Sequence, residues 1–263
     1  MVQISKKIKS IPGEFRLEQN LSSGPISQIF LCTFQNVKAV IRFDNSYVSM
    51  LSVDRASEVF LLNSIEPLML APNIIYQDLS EGILIWKYIS GNMLNFKKKN
   101  KKNYMQLLGK SLSKVHAFVP PEDSADVFAN SMKQYKNLLE NTSHSNLMNR
   151  GLKLYRKLAD DGLNFVLSHN DLNRENIILG DRIYFLDWEY AGINHPFFDI
   201  ATLVKTFSMS ADDLDNLLTV YFENKQFHSI KNIDLWIKFI NLLDEIWKES
   251  IDIIAKKKLT LSS

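Results

Sequence analysis

Short runs of alternating or continuous apolar residues dominate the first ninety positions of the chain and predict β-strands. The dipeptide Gln35–Asn36 separates two of these runs by a hairpin-length turn. One stretch, residues 52–65, instead repeats its apolar residues at helical spacing behind Ser52, a candidate N-cap. The predicted strands are residues 15–21, 28–34, 37–43, 73–78 and 83–89.

Beyond residue 90 the apolar spacing becomes mostly helical. A short β-rich stretch interrupts it, where residues 176–179 and 183–186 predict a hairpin around the turn Gly180–Asp181. Pro120–Pro121 ends the first predicted helix. The predicted helices are residues 103–118, 124–140 and 145–160, the segment after Asp199, and a last long region that carries Trp236 and Trp247.

The composition is that of an ordinary globular enzyme. The chain has 263 residues, 46% of them hydrophobic and 23% charged, which allows one large domain or two small ones. The formal net charge of +2 gives no reason to expect nucleic acid as a partner, and we read the lysine-rich residues 96–102 as a solvated loop and helix start. The single cysteine, Cys32, excludes an internal disulfide.

No apolar run approaches the roughly 20 residues that a membrane-spanning helix needs. The first ten residues lack the apolar core of a signal peptide. We therefore expect a cytoplasmic protein without membrane insertion. The oligomeric state is left open.

Three side chains of the β-rich stretch carry the candidate chemistry. The predicted hairpin brings Asn176 and Asp187 together, and Asp171 lies in the loop that leads into it. Mg²⁺ takes hard oxygen ligands and accepts as few as one or two from protein, so Asn176 and Asp187 suit a metal while Asp171 suits a base. The alternative is that Asp171 and Asn176 cap turns and Asp187 ends a strand.

The residues around these positions carry a family resemblance. H-N-D-L-x-x-x-N followed by L-D-W-E-Y-A-G-x-N-x-P-x-x-D-I-A resembles the choline/ethanolamine kinase and aminoglycoside phosphotransferase superfamily, in the form typical of bacterial choline and thiamine kinases. The resemblance implies an α+β, two-lobed protein-kinase-like fold with ATP and Mg²⁺ as cofactors. Residues 1–89 would form the nucleotide-binding lobe, with a small antiparallel sheet. Residues 90–263 would form the larger, mostly helical lobe.

The resemblance also implies the nucleotide contacts. Arg42 would hold the phosphates and pair with Glu58, whereas the alternatives are a solvated Arg42, an exposed Glu58, and Lys38 as the phosphate-binding cation. The phosphate loop carries one glycine and is weak evidence by itself. The implied loop contacts are Ser22, Ser23, Gly24 and Ser27, and the implied adenine-binding backbone is Trp86, Lys87, Tyr88 and Ile89.

On the substrate side, Tyr190 and Glu189 would line an alcohol pocket, where an aromatic face and a carboxylate suit an ammonium group. Trp236 and Trp247 lie eleven residues apart on one helix, about 16 Å, so at most one reaches that pocket, and Trp247 is preferred. The family resemblance gives His169 and Asp199 structural roles, in which both order the catalytic loop. From its position, Asp199 is also predicted to cap the helix that begins at residue 200.

The sequence thus predicts a small-molecule kinase that transfers the γ-phosphoryl group of ATP to the hydroxyl of a small cationic alcohol. Choline is the first candidate, followed by ethanolamine and thiamine, and then by an aminoglycoside or another sugar. Lys205 and Thr206 stand where choline kinases resembling this chain carry an acidic residue, which weakens choline but not phosphotransfer. The alternative from another class is a nucleotide-binding pseudokinase without catalysis.

Overall fold

The computed structural model describes residues 2–24, 26–45, 53–95, 100–122, 127–223 and 232–261. Ser52, the predicted N-cap, and residues 96–99 of the lysine-rich stretch lie outside the described residues.

An antiparallel five-stranded sheet forms most of the first lobe, and all five predicted strands are present. Gln35 and Asn36 form the tight turn between the second and third strands, with φ of 49° and 63°, the left-handed conformation that a two-residue hairpin loop requires. The spatial order is β1-β2-β3-β5-β4. The strands are β1 Phe15–Ser23, β2 Ser27–Phe34, β3 Val37–Asp44, β4 Ile74–Asp78 and β5 Ile83–Lys87.

Two helices accompany this sheet, and both differ from expectation. Helix α1, Val2–Ser10, was not predicted, and it packs Ile4 and Ile8 against the sheet. Helix α2, Arg55–Ile65, begins behind Asp54, whose carboxylate accepts hydrogen bonds from the first-turn backbone. Phe60, predicted to lie in the apolar stripe of α2, is 44% exposed, because the buried face of this helix includes charged side chains.

The second lobe is mostly helical and holds the larger core. Short strands β7 and β10 pair with each other, and β6 and β9 flank β8. The helices are α3 Lys101–Ala117, α4 Val127–Leu139, α5 Ser145–Ala159, α6 Pro196–Phe207, α7 Ala211–Tyr221 and α8 Ile233–Leu261. The strands are β6 Asn92–Met93, β7 Val166–Ser168, β8 Ile177–Leu179, β9 Ile183–Phe185 and β10 Gly192–Asn194.

The connection between the lobes passes close to β8. A Cβ atom at Gly91 would lie 2.6 Å from the carbonyl oxygen of Leu179, so only glycine allows this approach. The core is continuous across the connection, from α2 to the helices of the second lobe. Its largest fully buried side chains include Trp188, Phe198, Trp236 and Phe239.

Candidate active site

The β8–β9 hairpin brings the candidate metal ligands together as predicted. Ile177 pairs with Phe185, and the Leu186 N–H donates to the carbonyl oxygen of Asn176 at 2.8 Å. Asn176 itself belongs to a short 3₁₀ turn before β8 rather than to the strand. Asp187 follows with a left-handed φ of 62°, a conformation that is costly for a residue other than glycine and is found at functional sites.

Asp171 is held by two amide side chains. Asn176 Nδ2 donates to the Asp171 carboxylate and to its backbone carbonyl, both at 2.9 Å. Asn173 Nδ2 donates to the other carboxylate oxygen. Because the nitrogen of the Asn176 amide faces Asp171, its Oδ1 is the atom that remains for a metal ion.

Burial, and after it the neighbouring carboxylates, shift the pKa values of these groups. Burial raises the pKa of Asp171 to about 7, with the charge of Glu189 as the next cause. Burial and then Glu189 raise the pKa of Asp187 well above its ordinary value. A hard divalent cation would favour the ionised carboxylates, and the Asn176–Asp187 pair is a donor set that suits Mg²⁺. Among the described residues, no three acidic, histidine or cysteine side chains are arranged so that they could hold a metal ion together.

His169 and Asp199 form a buried framework beneath the loop. Asp199 accepts from the backbone N–H of His169 at 2.7 Å and of Asn170 at 2.9 Å. Burial lowers the pKa of His169 to about 4, so the neutral ring donates from Nε2 to the Leu186 carbonyl at 2.9 Å. These contacts join the loop that carries Asp171 to the strand end before Asp187.

The expectation that Asp199 caps α6 was wrong. Helix α6 starts at Pro196, four residues earlier than predicted, and the side chain of His195 caps it by accepting from Phe197 N–H. Asp199 therefore lies inside the first turn of α6, where the helix dipole favours a carboxylate.

A cavity of about 530 Å³ lies against the five-stranded sheet. We call it the sheet-side cavity. Its walls are mainly apolar, which suits the flat ring of a base. It is lined by most of the predicted nucleotide contacts, namely Ser22, Arg42, Glu58, Trp86, Tyr88 and Ile89, and by Asn176 and Asp187.

Arg42 and Glu58 form a bidentate pair in this cavity. Arg42 Nη1 and Nη2 donate to the two carboxylate oxygens of Glu58 at 2.8 and 2.7 Å. Both side chains are buried, at 5% and 2% exposure, so neither is the solvated surface group of the alternative reading. Lys38, the competing cation, lies over the ring of Tyr88 at 4.1 Å instead.

Four of the predicted nucleotide contacts do not line the sheet-side cavity: Ser23, Gly24, Ser27 and Lys87. The Gly24 N–H donates to the Ser27 carbonyl at 2.9 Å, which closes the β1–β2 hairpin. The Lys87 N–H donates to the Asn73 carbonyl at 2.9 Å. These backbone groups form hydrogen bonds within the first lobe. The loop sequence considered by itself could not predict these bonds.

A second cavity, of about 460 Å³, lies among the helices. We call it the helix-side cavity. Tyr190 and Trp247 line it and are joined by a hydrogen bond of 3.1 Å from Trp247 Nε1 to the tyrosine oxygen. Trp236 is 1% exposed and stacks on His195 in the core. The other charged or aromatic lining residues are Phe128, Tyr135, Asp171, Asp187, Glu189, Phe198, Asp244 and Lys248.

Sequence reasoning assigned no role to two lining residues of this cavity, Tyr135 and Asp244. Tyr135 on α4 lines the helix-side cavity, and no pattern in the sequence marked it. Asp244 lies three residues before Trp247 and therefore on the same helix face, a signal that was available. Lys205 and Asp244 form an ion pair at 2.5 Å, and Glu189 pairs with Arg55 at 2.7 Å.

Asp187 lines both cavities, Asn176 lines the sheet-side cavity and Asp171 the helix-side cavity. A candidate base and two residues suited to a metal ion thus lie at the junction of two cavities. This arrangement is typical of kinase-like phosphotransferases. The family model for choline/ethanolamine kinase matches residues 19–241. The chain belongs to the choline/ethanolamine kinase family, which confirms the family that the sequence motifs resembled.

Solved structures confirm the kinase-like α+β fold. The choline kinase LicA from Streptococcus pneumoniae superposes with a TM-score of 0.75 at 24% identity, covering 95% of this chain and 89% of that one. The streptomycin–ATP complex of APH(2")-IIa gives a TM-score of 0.61 at 21% identity, with 97% and 91% covered.

Curated relatives agree with this placement. Protein LicA from Haemophilus influenzae is 29% identical over 214 residues, which are 75% of this chain but only 60% of that protein. In strain Rd the match covers 74% of this chain and 76% of the relative, again at 29% identity. No helix in the described part of the chain has the length and apolar character needed to cross a bilayer.

Proposed function

We propose that the protein transfers the γ-phosphoryl group of ATP to the hydroxyl of choline. The observation that carries this proposal is the position of Asp187 on the wall shared by the two cavities, with Asp171 on one side and Asn176 on the other. In-line transfer needs donor and acceptor within a few ångströms of each other, and a wall shared by the two cavities supports such an approach.

The nucleotide belongs to the sheet-side cavity in this proposal. Arg42, held by Glu58, binds phosphate oxygens through a planar guanidinium, and Ser22 contacts the phosphates from β1. The adenine lies beside Trp86, Tyr88 and Ile89 at the end of the first lobe, residues 1–89. Asn176 and Asp187 would hold Mg²⁺, which would neutralise charge on the transferring phosphoryl group.

Asp171 acts as the base toward the alcohol. Its carboxylate lines the helix-side cavity and is oriented by Asn173 and Asn176. Burial and the neighbouring charge of Glu189 raise its pKa to about 7, and a base is most effective when its pKa lies near the working pH. The second lobe, residues 90–263, thus supplies both the base and the substrate site.

The walls of the helix-side cavity favour a quaternary over a primary ammonium. Tyr190 and Trp247 are aromatic lining residues, and an aromatic ring binds a cation without needing N–H donors on it. The two carboxylates beside them, Glu189 and Asp244, already accept from Arg55 and Lys205. A primary ammonium such as that of ethanolamine would compete for these acceptors, whereas choline would not. The name of the S. pneumoniae relative, a choline kinase, points the same way.

A coupled ADP-release assay tests the proposal. The full chain is given Mg·ATP with choline, ethanolamine, thiamine or kanamycin, and a reaction without acceptor corrects for hydrolysis. We expect turnover with choline at the highest kcat/KM. Turnover confined to another acceptor overturns choline, and ATP binding without turnover on any acceptor favours the pseudokinase alternative.

A further inference from the structure

Arg55 is a buried arginine that contacts three carboxylates. It is the first residue of α2, and its side chain is 8% exposed. Its Nε donates to the Asp44 carboxylate at 3.1 Å. Its Nη1 donates to Glu58 Oε2 at 2.8 Å and to Glu189 Oε2 at 2.7 Å. One nitrogen atom therefore bridges a carboxylate of the sheet-side cavity and a carboxylate of the helix-side cavity.

This bridge completes a series of four side chains between the two cavities. Arg42 Nη2 donates at 2.7 Å to Glu58 Oε2, the same oxygen that accepts from Arg55. Arg42 and Glu58 line the sheet-side cavity, and Glu189 lines the helix-side cavity. The Arg55–Glu189 contact joins residues 134 positions apart in the chain, so it ties α2 of the first lobe to residues 187–190 of the second.

Charge balance makes Arg55 difficult to replace. Within this cluster two positive charges, Arg42 and Arg55, face three negative ones, Asp44, Glu58 and Glu189. Without Arg55 a single arginine would face three carboxylates, of which Glu58 and Glu189 are buried. Removing one partner of a buried pair leaves a desolvated charge uncompensated, so Glu189 would leave its present position.

We propose that Arg55 is a positioning residue that couples nucleotide binding to alcohol binding. It holds Glu189, and with it residues 187–190, against α2 in the position set by the Arg42–Glu58 pair. A ligand that orders this network from one cavity reduces the ordering cost for the ligand in the other cavity. Glu189 is then held by an arginine rather than reserved for the substrate cation. This inference rests on the proposed function for the assignment of the two ligands.

Hydrogen exchange of the full chain tests the coupling without an alcohol. Amide exchange across residues 188–194 is measured with and without Mg²⁺ and a non-hydrolysable ATP analogue. In the wild type we expect the nucleotide to slow this exchange by about tenfold. In Arg55→Met the slowing is lost, while amides of β3 still respond to the nucleotide. Arg182→Met, which removes an arginine paired at the surface with Asp181, keeps the wild-type response.

Two milder variants keep the proposal testable if Arg55→Met does not fold. Glu189→Gln leaves Arg55 paired with Asp44 and Glu58, and it is expected to lose the same slowing across residues 188–194. Arg55→Lys keeps a positive charge that reaches one carboxylate but not all three, and it is expected to retain part of the response. Full slowing in Arg55→Met, or in Glu189→Gln where the methionine variant does not fold, overturns the proposal.

Choline kinetics separate this inference from the proposed function. We expect the choline KM of the wild type to fall several-fold as ATP approaches saturation, and this dependence to disappear in Glu189→Gln. A choline KM that rises equally at all ATP concentrations would instead make Glu189 a direct contact of the cation and overturn the coupling. A wild type that phosphorylates no acceptor overturns the proposed function, and the exchange experiment then still decides the role of Arg55.

Discussion

The sheet-side cavity takes its lining from one antiparallel sheet, α2 and the β8–β9 hairpin, whereas the helix-side cavity takes its lining from α4, α6, α8 and two loops. Strand pairing fixes the first set of side chains relative to one another. The second set depends on how separate helices pack. Under the proposed function, nucleotide binding therefore depends on the part of the molecule that short motifs determine, and substrate choice depends on the part that they do not.

The largest effect in the sheet-side cavity is expected from Arg42→Met. The change leaves Glu58 with Arg55 alone in a buried site, which should cost about 3–5 kcal/mol of unfolding free energy and raise the KM for ATP. Chemical denaturation and initial rates measure the two effects. Arg16→Met, at an exposed pair, is the control and should change neither. An unchanged KM for ATP in a folded Arg42→Met variant would contradict the assignment of Arg42.

The next largest effect is expected from His169, through the dependence of the unfolding free energy on pH. The pKa of His169 falls from 6.5 in the unfolded chain to about 4 in the fold. The unfolded state therefore binds the proton first, and stability that is complete above pH 6.5 is lost as the pH falls toward 4, by about 3 kcal/mol.

Denaturant titrations between pH 4 and 7 test this dependence on His169. The His169→Gln variant keeps a donor for the Leu186 carbonyl but does not titrate, so its stability should fall less on acidification. His144→Gln, at a partly exposed pair with Glu249, is the matched control. Equal acid sensitivity of the wild type and His169→Gln would exclude a buried neutral imidazole at this position.

Substitutions of two tryptophans in α8 test the assignment of the helix-side cavity to the alcohol. Trp247→Leu should raise the KM for choline about 2- to 30-fold, the range of one cation–π contact of 0.5–2 kcal/mol, with little change in kcat. Trp236→Leu, in the core beside His195, should lower the unfolding midpoint and leave the KM for choline unchanged. If the two variants exchange these phenotypes, the cavity has been assigned to the wrong face of α8.

The smallest effect is expected from Lys205. Lys205→Met releases Asp244 from its ion pair, so the carboxylate becomes available to a bound cation. The KM for choline should fall, by at most about fivefold, because a pair of this exposure contributes about 0–1 kcal/mol. Lys153→Met, on the exposed side of α5, should have no effect. A rise in the choline KM would mean that Lys205 supports the cavity rather than opposing the substrate.

The sequence predicted the structure correctly where neighbouring residues in the chain determine it. The hairpin around Gly180–Asp181 follows from turn chemistry and alternation, and it placed Asn176 beside Asp187 to within one residue. The pairs β1–β2, β2–β3 and β4–β5 were likewise accessible because short turns join them, whereas α2 lies in the chain between β3 and β5 and their pairing was not accessible. Asp199 was predicted to brace the catalytic loop, and its contacts with His169 and Asn170 agree.

Contacts between residues that lie far apart in the chain could not be predicted from the sequence. Arg55 meets Glu189 across 134 residues, and no spacing rule connects them. Apolar periodicity located α2 but predicted its buried face only in part, because that face carries Arg55 and Glu58 while Phe60 is exposed. Helix α1 was not predicted, because it has only a few apolar residues. The fold shows their role, since Ile4 and Ile8 pack against the sheet.

Direct observation of the product in Asp171→Asn tests the central claim, that a phosphoryl group passes from the sheet-side cavity to an alcohol in the helix-side cavity. Phosphocholine formation is followed by ³¹P NMR, nucleotide binding is measured in parallel, and Asp181→Asn at the surface is the control. We predict that Asp171→Asn binds Mg·ATP as the wild type does and forms phosphocholine about 100- to 10,000-fold more slowly. Wild-type rates of phosphocholine formation in Asp171→Asn would contradict the account.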